Sequence, residues 1–336
     1  MRVGIVGAGS MGYAHAPAWK AAAPLGAELV GLVARHPDTA NALAKQYGLR
    51  VYDRYEDLLR DVDIVDICTP TNLHCEMTLK AAEAGKHVIC EKPIALTLED
   101  GRRMIHACDK AGVRLFIGLV VRFIAHYAAA QQAVAAGQIG KPGVIRLTRA
   151  GYQPRKSLDN WFTDESRSGG MILDLMIHDY DYARWLAGNV RRVFAKSVRA
   201  VQRDAPGDYA LVTLRFDSGA IAHIEGGWAY PPPFFRTSFD IAGTEGLIAW
   251  SSDGSEPVNM HLMNPPQQSA AEVAVPVAMD ETGPFALEIR HFYQSLTSSQ
   301  PFSVTAEDAL AALQIALAVR ESLRTGRSVT INQEAI

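Results

Sequence analysis

The apolar run Val3–Val6 leads directly into Gly7-Ala8-Gly9-Ser10-Met11-Gly12, and a helical stretch, Met11–Ala23, starts before that motif has ended. A strand that turns into a helix within six residues needs glycine where side chains would collide, and this leaves a bare backbone loop at the helix start. Such a loop suits a pyrophosphate, whose charge the open N–H groups of the first helical turn can meet. Gly-x-Gly-x-x-Gly alone also occurs in ordinary turns, so its weight comes from context. Further β-rich runs at Leu29–Ala34, Ile64–Ile67, His87–Cys90 and Leu115–Ile117 alternate with helical stretches at Asp38–Tyr47, Leu73–Ala84 and Leu98–Ala111. Gly48, Gly85 and Gly112 stand just past three of those stretches, where a helix end favours glycine. The alternation predicts an α/β domain over residues 1–120, a doubly wound parallel sheet of Rossmann type. Gly7, Gly9, Ser10, Met11 and Gly12 are its dinucleotide-binding residues.

From about Arg122 the rhythm changes. A helix at Ile124–Ala136 and a strand at Gly143–Ala150 precede an irregular loop. Beyond residue 190 come the β-rich segments Val193–Ala200, Tyr209–Phe216, Ala220–Ala229, Phe235–Ile241 and Leu247–Trp250. Turn residues such as Asp217-Ser218-Gly219 and Gly243-Thr244-Glu245-Gly246 separate them and predict antiparallel meander connections. Ser251–Gln268 reads as a loop or a weak edge strand, and helices at Pro284–Ser295 and Ala306–Thr325 close the chain. At 336 residues there is room for two domains, and 121–336 forms the second. The run Val193–Trp250 predicts a sheet with an apolar face that nearby helices do not cover. Such a face marks an interface, so a homodimer or homotetramer is expected.

Composition narrows the function classes. The net charge is -3 with no basic block, which argues against nucleic acid as the main partner. The four cysteines (Cys68, Cys75, Cys90, Cys108) form no Cys-x-x-Cys pair and read as buried thiols of a reducing compartment. No run of about 18 apolar residues predicts a membrane span. Ala14-His15-Ala16 loosely mimics a signal-peptidase site, but the residues before it read better as strand, turn and helix start. The expectation is a cytoplasmic protein.

The chemistry concentrates in a second segment. Residues 170–186 read as one helix, apolar on nearly every side. Asp174, His178 and Asp181 interrupt the pattern at i, i+4 and i+7, on one stripe. One reading is a solvated stripe. The other is a carboxylate orienting an imidazole for proton transfer, because ionisable groups on a buried helix must be paired or line a cavity. A metal site on the same three residues lacks a second His or Cys cluster, so no metal is expected. Asp179 points off the stripe and reads as structural. The strand Leu29–Ala34 leads to Arg35-His36, without the acidic residue that usually holds the adenosine ribose of NAD. A guanidinium there can pair with a 2′-phosphate, which favours NADP. Alternatively, Arg35 stacks on the adenine and tolerates NAD as well.

Glu91-Lys92-Pro93 follows the strand His87–Cys90. Together with the glycine motif, Cys68-Thr69-Pro70-Thr71-Asn72-Leu73-His74, Asn160-Trp161-Phe162, Asp174-x-x-x-His178 and Gly243-Thr244-Glu245-Gly246, it makes the chain resemble the glucose–fructose oxidoreductase / inositol dehydrogenase / rhizopine catabolism family. The resemblance covers most of the chain. It implies a Rossmann domain followed by an α/β domain with an open, mostly antiparallel sheet that often joins subunits. It also implies hydride transfer between NAD(P) and a secondary alcohol or ketone of a sugar, polyol or inositol. By the same resemblance Lys92 hydrogen-bonds the reacting hydroxyl, His178 exchanges its proton and Asp174 orients the site. Thr69, Pro70, Asn72 and His74 would line the nicotinamide side, with Glu91 on its ribose or carboxamide and Lys92 also near the cofactor.

Softer candidates keep two readings each. Arg122 reaches the substrate or braces the domain junction. Trp161 walls the pocket or packs in the core. Tyr230, at the end of a strand before Pro231-Pro232-Pro233, faces the cleft or an interface, and Cys90 is a packed thiol. Two other functions fit the same fold: an NAD-dependent glycosidase, and a non-catalytic sensor of cofactor or sugar. Intact Lys92, Asp174 and His178 count against the sensor.

Overall fold

The computed structural model describes residues 1–154, 159–199, 208–254, 257–263, 272–274, 283–298 and 300–332. Its contacts divide the chain into Met1–Phe123 with Asp280–Leu310, and Ile124–Met279 with Ala311–Ile336. The first cut falls close to the expected boundary at 120/121. The return of 280–310 to the first unit is not part of the linear expectation.

In the first unit, β1 (Arg2–Val6), β2 (Glu28–Val33), β3 (Arg50–Val51), β4 (Ile64–Ile67), β5 (His87–Glu91) and β6 (Leu115–Gly118) form one sheet in the order 3-2-1-4-5-6. Every pairing in it is parallel. This is the doubly wound order with its switch point between β1 and β4. Both faces are covered, so β4 and β6 are buried at every residue. β3 and the helix Tyr55–Asp61 are absent from the sequence reading, because two and seven residues carry little periodicity. The helix Pro284–Thr297 returns to this unit through aromatic contacts. Phe292 meets Trp19 edge-on at 6.2 Å and Phe116 at 5.5 Å.

The second unit carries β7 (Pro142–Ala150), β8 (Val190–Val198), β9 (Tyr209–Phe216), β10 (Ile221–Gly227), β11 (Arg236–Gly243), β12 (Gly246–Ser251), β13 (Asn259–Leu262), β14 (Glu272–Ala274) and β15 (Val329–Thr330). They form one sheet in the order 14-13-12-11-7-10-9-8-15. Only the β7–β10 pair is parallel among the described pairings. Period-two alternation places Leu147, Val212, Leu214, Ile224, Phe239 and Ile241 on a buried face. The helices Ala125–Ala135 and Ile177–Ala187 contribute Tyr127 and Tyr182, whose rings meet edge-on at 4.8 Å, with Phe239 5.2 Å from Tyr127. Phe194, Val198 and Leu211 of β8 and β9 are exposed on neighbouring strands. Within Ser251–Gln268, expected as a loop or a weak edge strand, the structure has β13, which lies between β12 and β14 rather than at the sheet edge, and part of that stretch lies outside the described residues.

Candidate active site

The glycine turn is built as its spacing requires. Gly7 takes φ +110°, a region that L side chains rarely enter, and its N–H donates to the Val33 carbonyl at 2.8 Å. A Cβ on Gly7 would press into the Cys68 carbonyl, and one on Gly12 would collide with the carbonyl of Gly7. Gly9 has open space where its Cβ would stand and precedes the helix Ser10–Ala21 without a side-chain cap. An uncapped helix start behind a bare turn fits a diphosphate, so these residues suit a dinucleotide. Arg35 is exposed just past β2, with Nη2 3.3 Å from His36 Nε2.

Past β4, Thr69 and Pro70 are half-buried and Asn72 is exposed. His74 is buried, with Nδ1 2.9 Å from the Pro93 carbonyl and Nε2 3.1 Å from that of Thr69. Burial pushes its pKa down, so a neutral ring donates to one carbonyl and only touches the other. Its ring nitrogens therefore tie the Thr69 loop to the turn after Lys92, rather than facing a ligand. Glu91, expected on the cofactor, is 4% exposed and turns inward, with Oε1 3.0 Å from His15 Nε2. Lys92 is half-buried, follows β5 and is joined to Pro93 by a cis peptide. Arg122 is buried, and its Nη1 donates to the Ser303 carbonyl at 2.8 Å and to Asp308 Oδ2 at 3.1 Å, both within the first unit.

In the second unit the expected single helix 170–186 is two helices, Gly170–Asp174 and Ile177–Ala187. At the break the Met176 N–H reaches back five residues to the Met171 carbonyl at 3.2 Å, a wide turn of the π type. The regular i, i+4 spacing expected along one unbroken helix is therefore interrupted between Asp174 and His178. Asp174 ends one helix, and His178 stands in the first turn of the next. Wide turns of this kind recur at functional sites because they re-aim side chains. At the break, Met176 lies so close to Gly226 of β10 that a Cβ there would collide with its side chain. Asp174 is buried and His178 half-buried, and Asp181 is buried as well.

Asp179 does not face that group. Its carboxylate forms a buried two-pronged pair with Arg149 of β7, Nε to Oδ2 at 2.8 Å and Nη2 to Oδ1 at 3.1 Å. Burial pushes the Asp179 carboxyl up, and the guanidinium opposes that rise. This pair fixes the helix that carries His178 to the sheet. Ahead of it, Gly169 and Gly170 at φ +77° and +70° reverse the chain out of the short helix Glu165–Ser168.

Trp161 is half-buried and stacks on Phe162 at 4.0 Å, next to a loop pinned by the Arg167–Asp159 pair at 2.8 and 2.9 Å. Tyr230 stacks on Phe234 at 5.2 Å, and its N–H donates to the Gly151 carbonyl. All four cysteines are free and buried, and burial pushes Cys75 up to about 11. Among the described residues the one group with metal-ligand spacing is His15, Asp66 and Cys68, not the Asp174 helix. No helix among them is long and apolar enough to cross a membrane.

Sequence reading missed His15, Asp66, Glu288 and Arg149. The available signal was position. Asp66 sits inside the otherwise apolar strand Ile64–Ile67, and His15 lies among alanines on the face of a core helix.

Comparison with known proteins agrees with this fold. The model of an oxidoreductase family with an NAD-binding Rossmann fold, GFO/IDH/MocA, matches residues 1–119, and that of the GFO/IDH/MocA C-terminal domain matches 127–249. The chain is 31% identical to the myo-inositol 2-dehydrogenase of Thermotoga maritima over 99% of both chains. It is 32% identical to the 1,5-anhydro-D-fructose reductase of Ensifer adhaerens over 91% of this chain and 92% of that one. A solved levoglucosan dehydrogenase in complex with NADH matches with a TM-score of 0.87 at 25% identity, covering 99% of both chains. With the six-stranded Rossmann sheet, the mostly antiparallel second sheet and these matches across nearly its full length, the chain belongs to the GFO/IDH/MocA oxidoreductase family.

Proposed function

We propose that the protein oxidises a secondary alcohol of a sugar, polyol or inositol, or reduces the matching ketone, with a nicotinamide dinucleotide. The observation that carries this reading is the placement of Lys92. It is a half-buried lysine at the carboxyl end of β5, where doubly wound sheets bind ligands, in a chain whose relatives act on inositols and sugars. The Gly7–Gly12 turn and the start of the helix Ser10–Ala21 would hold the diphosphate, with Thr69, Pro70 and Asn72 beside the nicotinamide. The nicotinamide supplies the two-electron acceptor, or the donor in reverse. The chain supplies the proton chemistry. Lys92 donates a hydrogen bond from Nζ to the reacting oxygen and steadies the alkoxide. His178 takes the hydroxyl proton at a ring nitrogen, and Asp174 orients the imidazole. Trp161 and Tyr230 supply aromatic walls for a sugar face. A spectrophotometric screen of inositols, aldoses and keto-sugars with NAD and NADP tests this. Tightly held cofactor with no net absorbance change would instead favour the glycosidase chemistry of the same fold.

Of the two cofactors we favour NADP, because exposed Arg35 stands where an acid would select NAD. Arg35→Asp should weaken NADP relative to NAD by about 10- to 150-fold, the worth of one charge-assisted phosphate contact. Unchanged relative affinities in titrations with both cofactors would refute it. The four free buried thiols fit a cytoplasmic protein. The exposed Phe194, Val198 and Leu211 support a homodimer or homotetramer built on the second sheet. Light scattering at micromolar protein should give at least twice the 36.5 kDa chain mass, and a concentration-independent monomer would end this reading.

A further inference from the structure

Within the first unit a chain of buried polar groups runs to Lys92, and no step above uses it. His15 is fully buried, with Nδ1 2.9 Å from Asp66 Oδ2. The Trp19 indole donates to the same oxygen at 2.7 Å, and the Cys68 thiol donates to Oδ1 at 3.4 Å. On its other side, His15 Nε2 lies 3.0 Å from Glu91 Oε1, an ion-pair approach out of line for a straight hydrogen bond. The second oxygen of Glu91 accepts the backbone N–H of Lys92 at 3.1 Å. From the return helix, the Phe285 ring packs 5.5 Å from His15. Glu288 from that helix is fully buried with no hydrogen-bond partner, and burial and the Glu91 charge hold its carboxyl well above the usual range.

An imidazole with a carboxylate at each nitrogen serves both only as the two-proton cation. Burial opposes that cation, but Asp66 and Cys68, through charge and hydrogen bonding, together outweigh it and hold His15 well above its usual range. Glu288, held well above the usual carboxyl range, favours its neutral form there. The cation thus holds Glu91 in the one orientation whose far oxygen reaches the amide of Lys92. We propose that His15 is a positioning residue for Lys92, acting through Glu91 to fix the backbone from which the lysine side chain starts. The proposal rests on the reading that Lys92 acts on the reacting hydroxyl. A displacement of about 1 Å at a reacting group costs roughly 10²-fold in rate.

The test uses the full chain with His15→Leu, which removes both contacts, and His15→Gln, which keeps a donor. Turnover is measured per cofactor-binding site, with cofactor Kd by fluorescence titration and hydrogen exchange of peptides spanning Lys92 by mass spectrometry. His15→Leu should lower kcat by roughly 10²-fold with Kd changed less than about threefold, and should speed exchange at Lys92 at least tenfold. His15→Gln should recover to within about three- to tenfold of the parent. Parental turnover and exchange in both variants would overturn the proposal, as would a loss of cofactor binding in parallel with turnover. Should His15→Leu fail to fold, His15→Gln decides: a parental kcat and parental exchange refute the role. Lys92→Ala separates the two readings. If it keeps parental turnover, the role of Lys92 fails, while exchange at Lys92 in the His15 variants still reports the link.

Discussion

Replacing His178 or Lys92 with alanine lowers kcat by roughly 10²- to 10⁴-fold, the range that general acid–base catalysis usually supplies, while cofactor binding stays nearly intact. The expectation follows from where the cost lies. On the proposed roles, His178→Ala would remove the proton acceptor and Lys92→Ala the donor that steadies the alkoxide, so each loss would fall on the transition state rather than on ground-state binding. Asp174→Asn loses less, because it disturbs the imidazole's orientation and leaves the acceptor in place. The double variant His178→Ala/Lys92→Ala should fall well short of the sum of the two losses, since on the proposed roles both residues act on one proton in one transition state. Near-normal kcat in His178→Ala would make His178 structural.

The second large effect concerns stability. Asp179→Ala strands the buried Arg149 guanidinium, and Arg149→Ala strands the buried carboxylate. Each should destabilise the second unit by about 3–5 kcal/mol, the usual cost of an uncompensated buried charge. Replacing both at once, as Arg149→Met with Asp179→Leu, should cost much less, because neither charge is then left behind. Trp161, Trp185, Trp228 and Trp250 all lie in this unit and Trp19 in the other, so urea unfolding followed by tryptophan fluorescence reports chiefly on the second unit. A double variant no more stable than the singles would refute the compensation argument. A Tm or midpoint near the parent's in Asp179→Ala would show that the pair carries little.

What could be read from the sequence was whatever local physics dictates. Gly7 must be glycine because its φ is +110°, and that demand is visible as a motif spacing. β4 and β6 announce themselves as apolar runs because both faces of a parallel sheet are covered. Exposed Arg35 is likewise legible from its place after β2. Tertiary structure decided what depends on contacts distant in the chain. The helix expected over 170–186 breaks at Leu175–Met176, where Met176 seats against Gly226 on a strand some fifty residues away, and helical periodicity carries no trace of that contact. Glu91 and His74 look like ligand groups in sequence. In the fold, His15 and the carbonyls of Thr69 and Pro93 engage them, because a buried polar group must find a partner and the nearest ones arrive from other elements. Residues 280–310 join the first unit through apolar contacts instead. Their aromatic side chains complete a core with Trp19 and Phe116, and a linear reading cannot see which of two cores a late helix will cover.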